Sequence, residues 1–197
     1  MPFAALLQGL EVFHASAVVR HGEAIAFLGP SGAGKTSLAV ELCARGASFL
    51  ADDVLALEPR GVELLAHPGT PIAGVRRGES DPTPGENSHA GKVVATNARE
   101  RLVRMPGAEG PARLAALFFV DRRRDGPKSP HIELAPDAQM LLAATFNFVL
   151  ASPARLLRLL DVCALAARLR VERIVTTPAT SAAELGAAVE QRLSSSG

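Results

Sequence analysis

Cysteine is scarce in this chain, excess charge of either sign is nearly absent, and no long apolar run occurs among its 197 residues. Cys43 and Cys163 each stand alone in an apolar segment without CxxC spacing, which excludes a thiolate zinc site or a redox pair and reads as two reduced core thiols in a cytoplasmic protein. Lysine and arginine total 21 against 20 acidic residues, a formal net charge of +1. That balance makes no electrostatic case for nucleic acid as the main partner, so any anion site must be local. No apolar run reaches the ~18 residues that span a bilayer, and Met1 to Gly9 has no basic region ahead of its short apolar stretch, so neither a membrane span nor export is expected. Internal repeats are absent as well.

What is there has the composition of a folded globular protein, 48% hydrophobic and 21% charged, at a length that suits one domain with a full core over residues 1–197. Glu11 to Arg20 (EVFHASAVVR) reads as one strand, and Arg20-His21-Gly22 turns it into a second, Glu23 to Leu28. Gly29 to Gly34 then lead into a helix, TSLAVELCAR, which Gly46 is placed to end. Ser48 to Leu57 (SFLADDVLAL) is a further strand, interrupted by two adjacent carboxylates that a buried strand does not carry without reason, and Val62 to Ala66 can pair beside it. From Arg76 to Lys92 the sequence RRGESDPTPGENSHAGK has no periodic apolar pattern and reads as a long loop, either a functional lid or a disordered segment. Leu114 to Val120 (LAALFFV) is a buried strand, and the charge run after it, DRRRDGPKSP, reads as a solvated turn. The last third is helical except for a strand at Val171 to Thr176. Helices are expected over Pro136 to Ala151, from Ser152-Pro153 to about Leu169, and over Ala182 to Leu193, the last opened by a Ser181/Glu184 capping box. Residues 194–197 are expected to fray. The fold class is therefore α/β, a mixed sheet with C-terminal helices.

Gly29-Pro30-Ser31-Gly32-Ala33-Gly34-Lys35-Thr36, followed by Ser37, matches GxxxxGK[ST] between a predicted strand and a predicted helix, the context that motif requires. Glycines let backbone N–H groups turn inward around phosphate oxygens, the helix start adds its positive end, Lys35 reaches the β/γ-phosphates of ATP, and Thr36 places a hydroxyl on Mg²⁺. Asp52 and Asp53 follow Thr36 by 16 and 17 residues, just enough for one helix and a return strand. One carboxylate can hold Mg²⁺ while the other accepts a proton from an attacking hydroxyl.

The stretch from His14 to Leu57 resembles the catalytic domain of HPr kinase/phosphorylase, which shares its phosphate-loop arrangement with phosphoenolpyruvate carboxykinases. The matching residues are HAS before the hairpin, GPSGAGKTSLAVELCARG and ADDVLAL, and His14 lies 15 residues before Gly29 as in that family. The resemblance implies a proton-accepting role for Asp53, a metal-site role for Asp52 and an active-site role for His14 near the phosphate. It also carries departures: the glycine-rich signature of bifunctional members is missing after Asp53, where the chain reads HPGTPIAGVRR, and no N-terminal regulatory domain is found. From Leu114 onward the chain looks like shorter HPr-kinase-like proteins, which supports kinase chemistry more than it supports HPr as substrate.

Candidate cations for the transferred phosphoryl group are Arg76, Arg77, Lys92, Arg101 and Arg104, all following the acidic strand, with Glu79 a further candidate acid. His21 belongs to the hairpin turn, and His67, His89 and His131 have no paired ligand spacing. The expected activity is ATP- and Mg²⁺-dependent phosphorylation of a hydroxyl, with serine of a protein or peptide other than HPr placed first. A small-metabolite kinase and a non-catalytic nucleotide-binding regulatory module stay open, as does a homo-oligomer.

Overall fold

The computed structural model describes residues 2–76, 91–135, 138–145 and 153–195. A helix α1 (Pro2–Leu7) precedes strands β1 (Glu11–Phe13), β2 (Ser16–Arg20) and β3 (Glu23–Leu28). Helix α2 (Lys35–Ala44) leads to strands β4 (Ser48–Ala51), β5 (Leu55–Arg60), β6 (Glu63–His67) and β7 (Ile72–Arg76). Strands β8 (Lys92–Thr96), β9 (Glu100–Arg104), β10 (Ala112–Arg122) and β11 (His131–Leu134) follow. The chain closes with α3 (Ala138–Ala143), α4 (Pro153–Ala166), β12 (Arg170–Thr176) and α5 (Ala182–Ser194). Of the expected lid, residues 77–90 lie outside the described residues, and with them Arg77, Glu79 and His89. The same holds for 136–137, 146–152 and the tail at 196–197.

β10 is the strand on which the main sheet is built. β3 and β12 run parallel to it on either side, and its first residues, Ala112 and Arg113, pair antiparallel with β6. β2 joins β3, β4 joins β2, β5 joins β6, β1 joins β5 and β11 joins β12, all antiparallel, so the sheet is mixed as expected. The near-continuous apolar run of β10 follows from burial on both faces. Leu117 and Phe119 enter a core closed by Leu141 of α3 and by Leu159 and Val162 of α4. Phe118 and Val120 enter a second core with Leu38 and Leu42 of α2 and Leu185 and Val189 of α5. Phe27 and Phe118, paired across β3 and β10, stack at 6.2 Å between ring centroids.

Two expected strands are each broken, and at the same level of the sheet. Glu11–Arg20 divides into β1 and β2 at His14-Ala15, and Ser48–Leu57 divides into β4 and β5 at Asp52-Asp53-Val54. β2 and β4 pair with each other beside β3, whereas β1 and β5 pair with each other beside β6 at the other end of the curled sheet. Each chain segment must therefore leave one ladder before joining the other. Asp53 makes its corner with φ +60°, a conformation rare for a residue with a side chain.

Several boundaries also differ from the sequence reading. Helix α3 ends at Ala143, and Thr145 donates its hydroxyl to Leu142 O at 2.7 Å and bridges to Phe13, so the helix expected to reach Ala151 stops here. Helix α4 ends at Ala166 rather than Leu169, because a tight turn over 167–169 feeds β12 directly. The charged turn after Val120 begins two residues late, since Asp121 and Arg122 still belong to β10. Helix α1, strand β11 and a separate antiparallel sheet β7-β9-β8 had no counterpart in the sequence reading. That small sheet lays Ala73, Val93 and Val103 against the α2 side of the core. The capping box is present: Glu184 N–H donates to Ser181 Oγ at 3.2 Å and Ser181 N–H donates to Glu184 Oε2 at 2.8 Å.

Both thiols are buried, and burial pushes Cys43 up to about 12 and Cys163 to about 11 from 9.0. The folded protein then keeps protons that the unfolded chain releases, so stability declines as pH rises above about 9, by up to about 1.4 kcal/mol per pH unit for each thiol. Urea denaturation at pH 8, 9 and 10 is expected to show a shallower decline in a Cys43→Ala, Cys163→Ala double variant than in the parent. Parallel declines would contradict the assignment.

Candidate functional site

Strand β3 ends at Leu28 and the chain enters the glycine loop at Gly29, whose φ is +138°. A Cβ there would lie 2.6 Å from Val120 O, so only glycine lets the loop pass the end of β10. Gly34 occupies the N-cap position of α2 with φ +96° and provides no side-chain cap. The first N–H groups of α2 consequently have no side chain of that residue competing for them, and the positive end of the helix faces the loop. A polar hollow of about 380 Å³ lies over this turn. Ser31, Gly32, Gly34, Lys35, Thr36 and Ser37 form its floor; His14, Asp53 and Gly74 form one wall; Arg76, Glu100 and Arg122 complete the lining. Pro30 and Ala33 serve through their backbones, accepting from Lys35 Nζ at 3.2 Å and from Arg122 Nε at 2.7 Å.

Asp52 is half-buried behind this floor, and its two oxygens are divided among three elements. Oδ1 accepts from Thr36 Oγ1 at 2.8 Å and from Ser16 Oγ at 2.6 Å, and Oδ2 accepts from the Gly74 N–H at 3.1 Å. The carboxylate thus joins the start of α2 to β2 and to the small sheet. Asp53, the next residue, is exposed and lines the hollow itself. The break at the double aspartate is what sends these neighbours in different directions.

Lys35 is 5% exposed, its Nζ donating to Gly29 O at 2.9 Å and contacting His14 Nε2 at 3.2 Å. Desolvation lowers its pKa from the usual value, opposed by the negative charge of Asp53 and then of Asp52. The ring of His14 is read from its two partners. Nδ1 lies 3.1 Å from Asp53 O, a carbonyl that can only accept, so Nδ1 carries the hydrogen and the neutral Nε2 accepts from the ammonium. His14, Lys35 and Asp53 are therefore one connected group.

Of the five cations singled out in the sequence, Arg76 lines the hollow: its Nη2 is 2.9 Å from where a Cβ on Gly32 would stand. Lys92 is exposed at the start of β8, and Arg101 and Arg104 sit on β9 outside the hollow lining. Arg122 was missed, hidden in a charge run read as solvated. Its Nη1 donates to Pro178 O at 3.1 Å and Thr180 O at 2.8 Å, and its Nη2 lies 2.9 Å from the Cβ position of Gly34. Burial lowers its pKa from the usual arginine value. The available signal was position, an arginine just past an apolar strand whose carboxyl end, in a parallel pair, is where ligands bind. Glu100, paired in register with Arg76, was missed as well. His67 is engaged elsewhere, with Glu58 Oε2 at 2.8 Å, and His131 is exposed on β11.

Among the described residues no group of three or more His, Cys, Asp or Glu side chains is placed to hold a metal by itself. Mg²⁺ needs no such cage, because it takes one or two protein oxygens and fills its shell with phosphate and water. Thr36 Oγ1 beside Asp52 Oδ1 is a donor set of that kind, so these residues fit the ion. Among the described residues no helix is long and apolar enough to cross a membrane.

No protein-family model matches this chain, and no curated protein matches it. Among solved structures it is similar to the HPr(Ser) kinase/phosphatase from Coxiella burnetii, with 13% identity and a TM-score of 0.47 over 95% of this chain and 99% of that one. A likeness of that degree carries no argument about activity.

Replacing Asp52 by asparagine leaves one acceptor oxygen and turns an amide NH₂ toward a donor, the Gly74 N–H or the two hydroxyls. Asp52→Asn is expected to destabilise the fold by about 1–3 kcal/mol, the scale of a hydrogen bond to a charged group lost at this half-buried position. An unchanged urea midpoint and slope would show that this carboxylate does not join the three elements.

Proposed function

We propose that the chain is an ATP- and Mg²⁺-dependent phosphotransferase that moves the terminal phosphoryl group to a hydroxyl, that of serine in a protein or peptide other than HPr. The observation that carries this reading is the position of Asp53: an exposed carboxylate on the wall of the same hollow whose floor is the glycine loop and Lys35. A module that only binds nucleotide needs no proton acceptor there. The resemblance of residues 14–57 to HPr kinase motifs agrees with phosphoryl transfer, and the missing glycine-rich signature favours an acceptor other than HPr.

In this reading the loop N–H groups and the start of α2 receive the phosphate oxygens, and Lys35 swings from its carbonyl partners to the β/γ-phosphates. Mg²⁺, held by Thr36 with Asp52, supplies positive charge to the terminal phosphates. The acceptor oxygen bonds to the γ-phosphorus as the bond to the β,γ-bridging oxygen breaks. ADP leaves with that oxygen and its electron pair, and the hydroxyl proton passes to Asp53. Arg76 and Arg122 add positive charge over Gly32 and Gly34, where charge on the equatorial oxygens develops. His14, with one ring nitrogen at Asp53 O and the other at Lys35 Nζ, stands between these two groups.

Two substitutions separate these roles. Lys35→Ala is expected to abolish turnover; unchanged ATP affinity and activity in a folded variant would dismiss the phosphate cradle. Asp53→Asn is expected to keep ATP binding while losing about 10²–10⁴ in transfer rate. Full activity would remove Asp53 from the chemistry, and a loss confined to Mg²⁺ affinity would exchange the roles of the two aspartates.

A further inference from the structure

A second hollow, also of about 380 Å³, adjoins the first across the ring of His14. Its walls are apolar: Phe119 from β10, Met140 and Ala143 from α3, Ala144 just beyond it, and the Pro30 side of the loop. Its location relative to the reacting hydroxyl is set by His14, which lines both hollows and whose Nδ1 lies 3.1 Å from Asp53 O. The apolar hollow therefore adjoins the carboxylate read as the proton acceptor, and an acceptor that delivers its hydroxyl to Asp53 arrives beside it.

Resting on the phosphotransferase reading, we infer that this hollow is an acceptor subsite that seats an apolar side chain, of the size of leucine, methionine or phenylalanine, adjacent in the substrate peptide to the serine that is phosphorylated. Its volume lies at the small end of ligand pockets, about 300–1,000 Å³, and is ample for one large apolar side chain. His14 is shared by both hollows, with its Nδ1–H on Asp53 O. A serine hydroxyl placed at the Asp53 carboxylate would have the next side chain reach across the imidazole into this apolar space. The unbranched thioether of Met140, with Arg173 Nη2 at 3.0 Å from its sulfur, can adapt to different apolar occupants. Among the described residues none of the lining side chains carries a carboxylate or an ammonium, so a charged neighbour would lose hydration against mostly apolar walls.

The test uses the full chain, ATP with Mg²⁺, and serine peptides that differ in the residue flanking the serine: leucine, phenylalanine, alanine or aspartate. Leucine or phenylalanine is expected to exceed aspartate by about 10–100-fold in kcat/KM, the range a hydrophobic pocket discriminates. Ala143 is exposed at the last position of α3, so Ala143→Arg introduces a cation at the hollow without entering the core. This variant is expected to shrink or invert the leucine-to-aspartate ratio. Preference within about twofold in the parent, or a ratio that Ala143→Arg does not move, overturns the subsite. A fall in ATP affinity in the variant with the peptide preference unmoved would give the hollow to the nucleobase instead. Failure of the parent to label any peptide rejects the reading of a peptide or protein as acceptor, and this inference falls with it.

Discussion

The site depends on one carboxylate that stands behind its floor. Asp52 accepts from Thr36 at the head of α2, from Ser16 on β2 and from the Gly74 N–H of β7, and so fixes the glycine loop, the main sheet and the small sheet relative to one another. Hydrogen bonds to an ionised acceptor are roughly twice as strong as neutral ones, and three donors converge here. The small sheet has a limited apolar face of its own, with Ala73, Val93 and Val103 among its buried residues. Its tie to Asp52 brings β7 to the loop and Arg76 over Gly32.

A second constraint is electrostatic. A nearly buried ammonium is costly unless its hydrogens and charge are met. Lys35 meets two loop carbonyls, the imidazole of His14 and the field of two aspartates, and of these partners His14 and Asp53 also line the hollow. Anionic phosphate entering the hollow would take over part of that compensation. The same arrangement holds Asp53 near a positive charge while leaving it exposed, which suits a carboxylate that must receive a proton from an acceptor arriving from outside.

Features written in short stretches of sequence were legible in advance. The glycine loop, the His21-Gly22 hairpin turn, the helix stop at Gly46 and the Ser181/Glu184 box each need only neighbouring residues to specify them, and each is present. The breaks at His14 and Asp53 were not legible as breaks, because apolar residues continue on both sides and only the pairing of β1 with β5 and β2 with β4 forces a corner. Those corners hold His14, Asp52 and Asp53 of the candidate site, so the local pattern fails where the chain departs from regular pairing. The small sheet escaped for want of a strong alternation, and Arg122 because a charge run usually marks solvent. Which arginine reaches the loop depends on registers between distant strands: Arg76 ends β7 beside Gly32, while Arg101 and Arg104 on the adjoining β9 lie outside the hollow.

The central claim is that the glycine loop presents the terminal phosphate of a nucleotide to an acceptor hydroxyl held at Asp53. Incubating the chain with Mg²⁺, ATP bearing ¹⁸O in its γ-phosphoryl group and a mixture of serine-bearing peptides, then reading products by mass spectrometry, follows that phosphate directly. ¹⁸O-labelled phosphoserine in peptide is expected together with an equal amount of ADP. Label found only in inorganic phosphate, or remaining wholly in ATP, would contradict it.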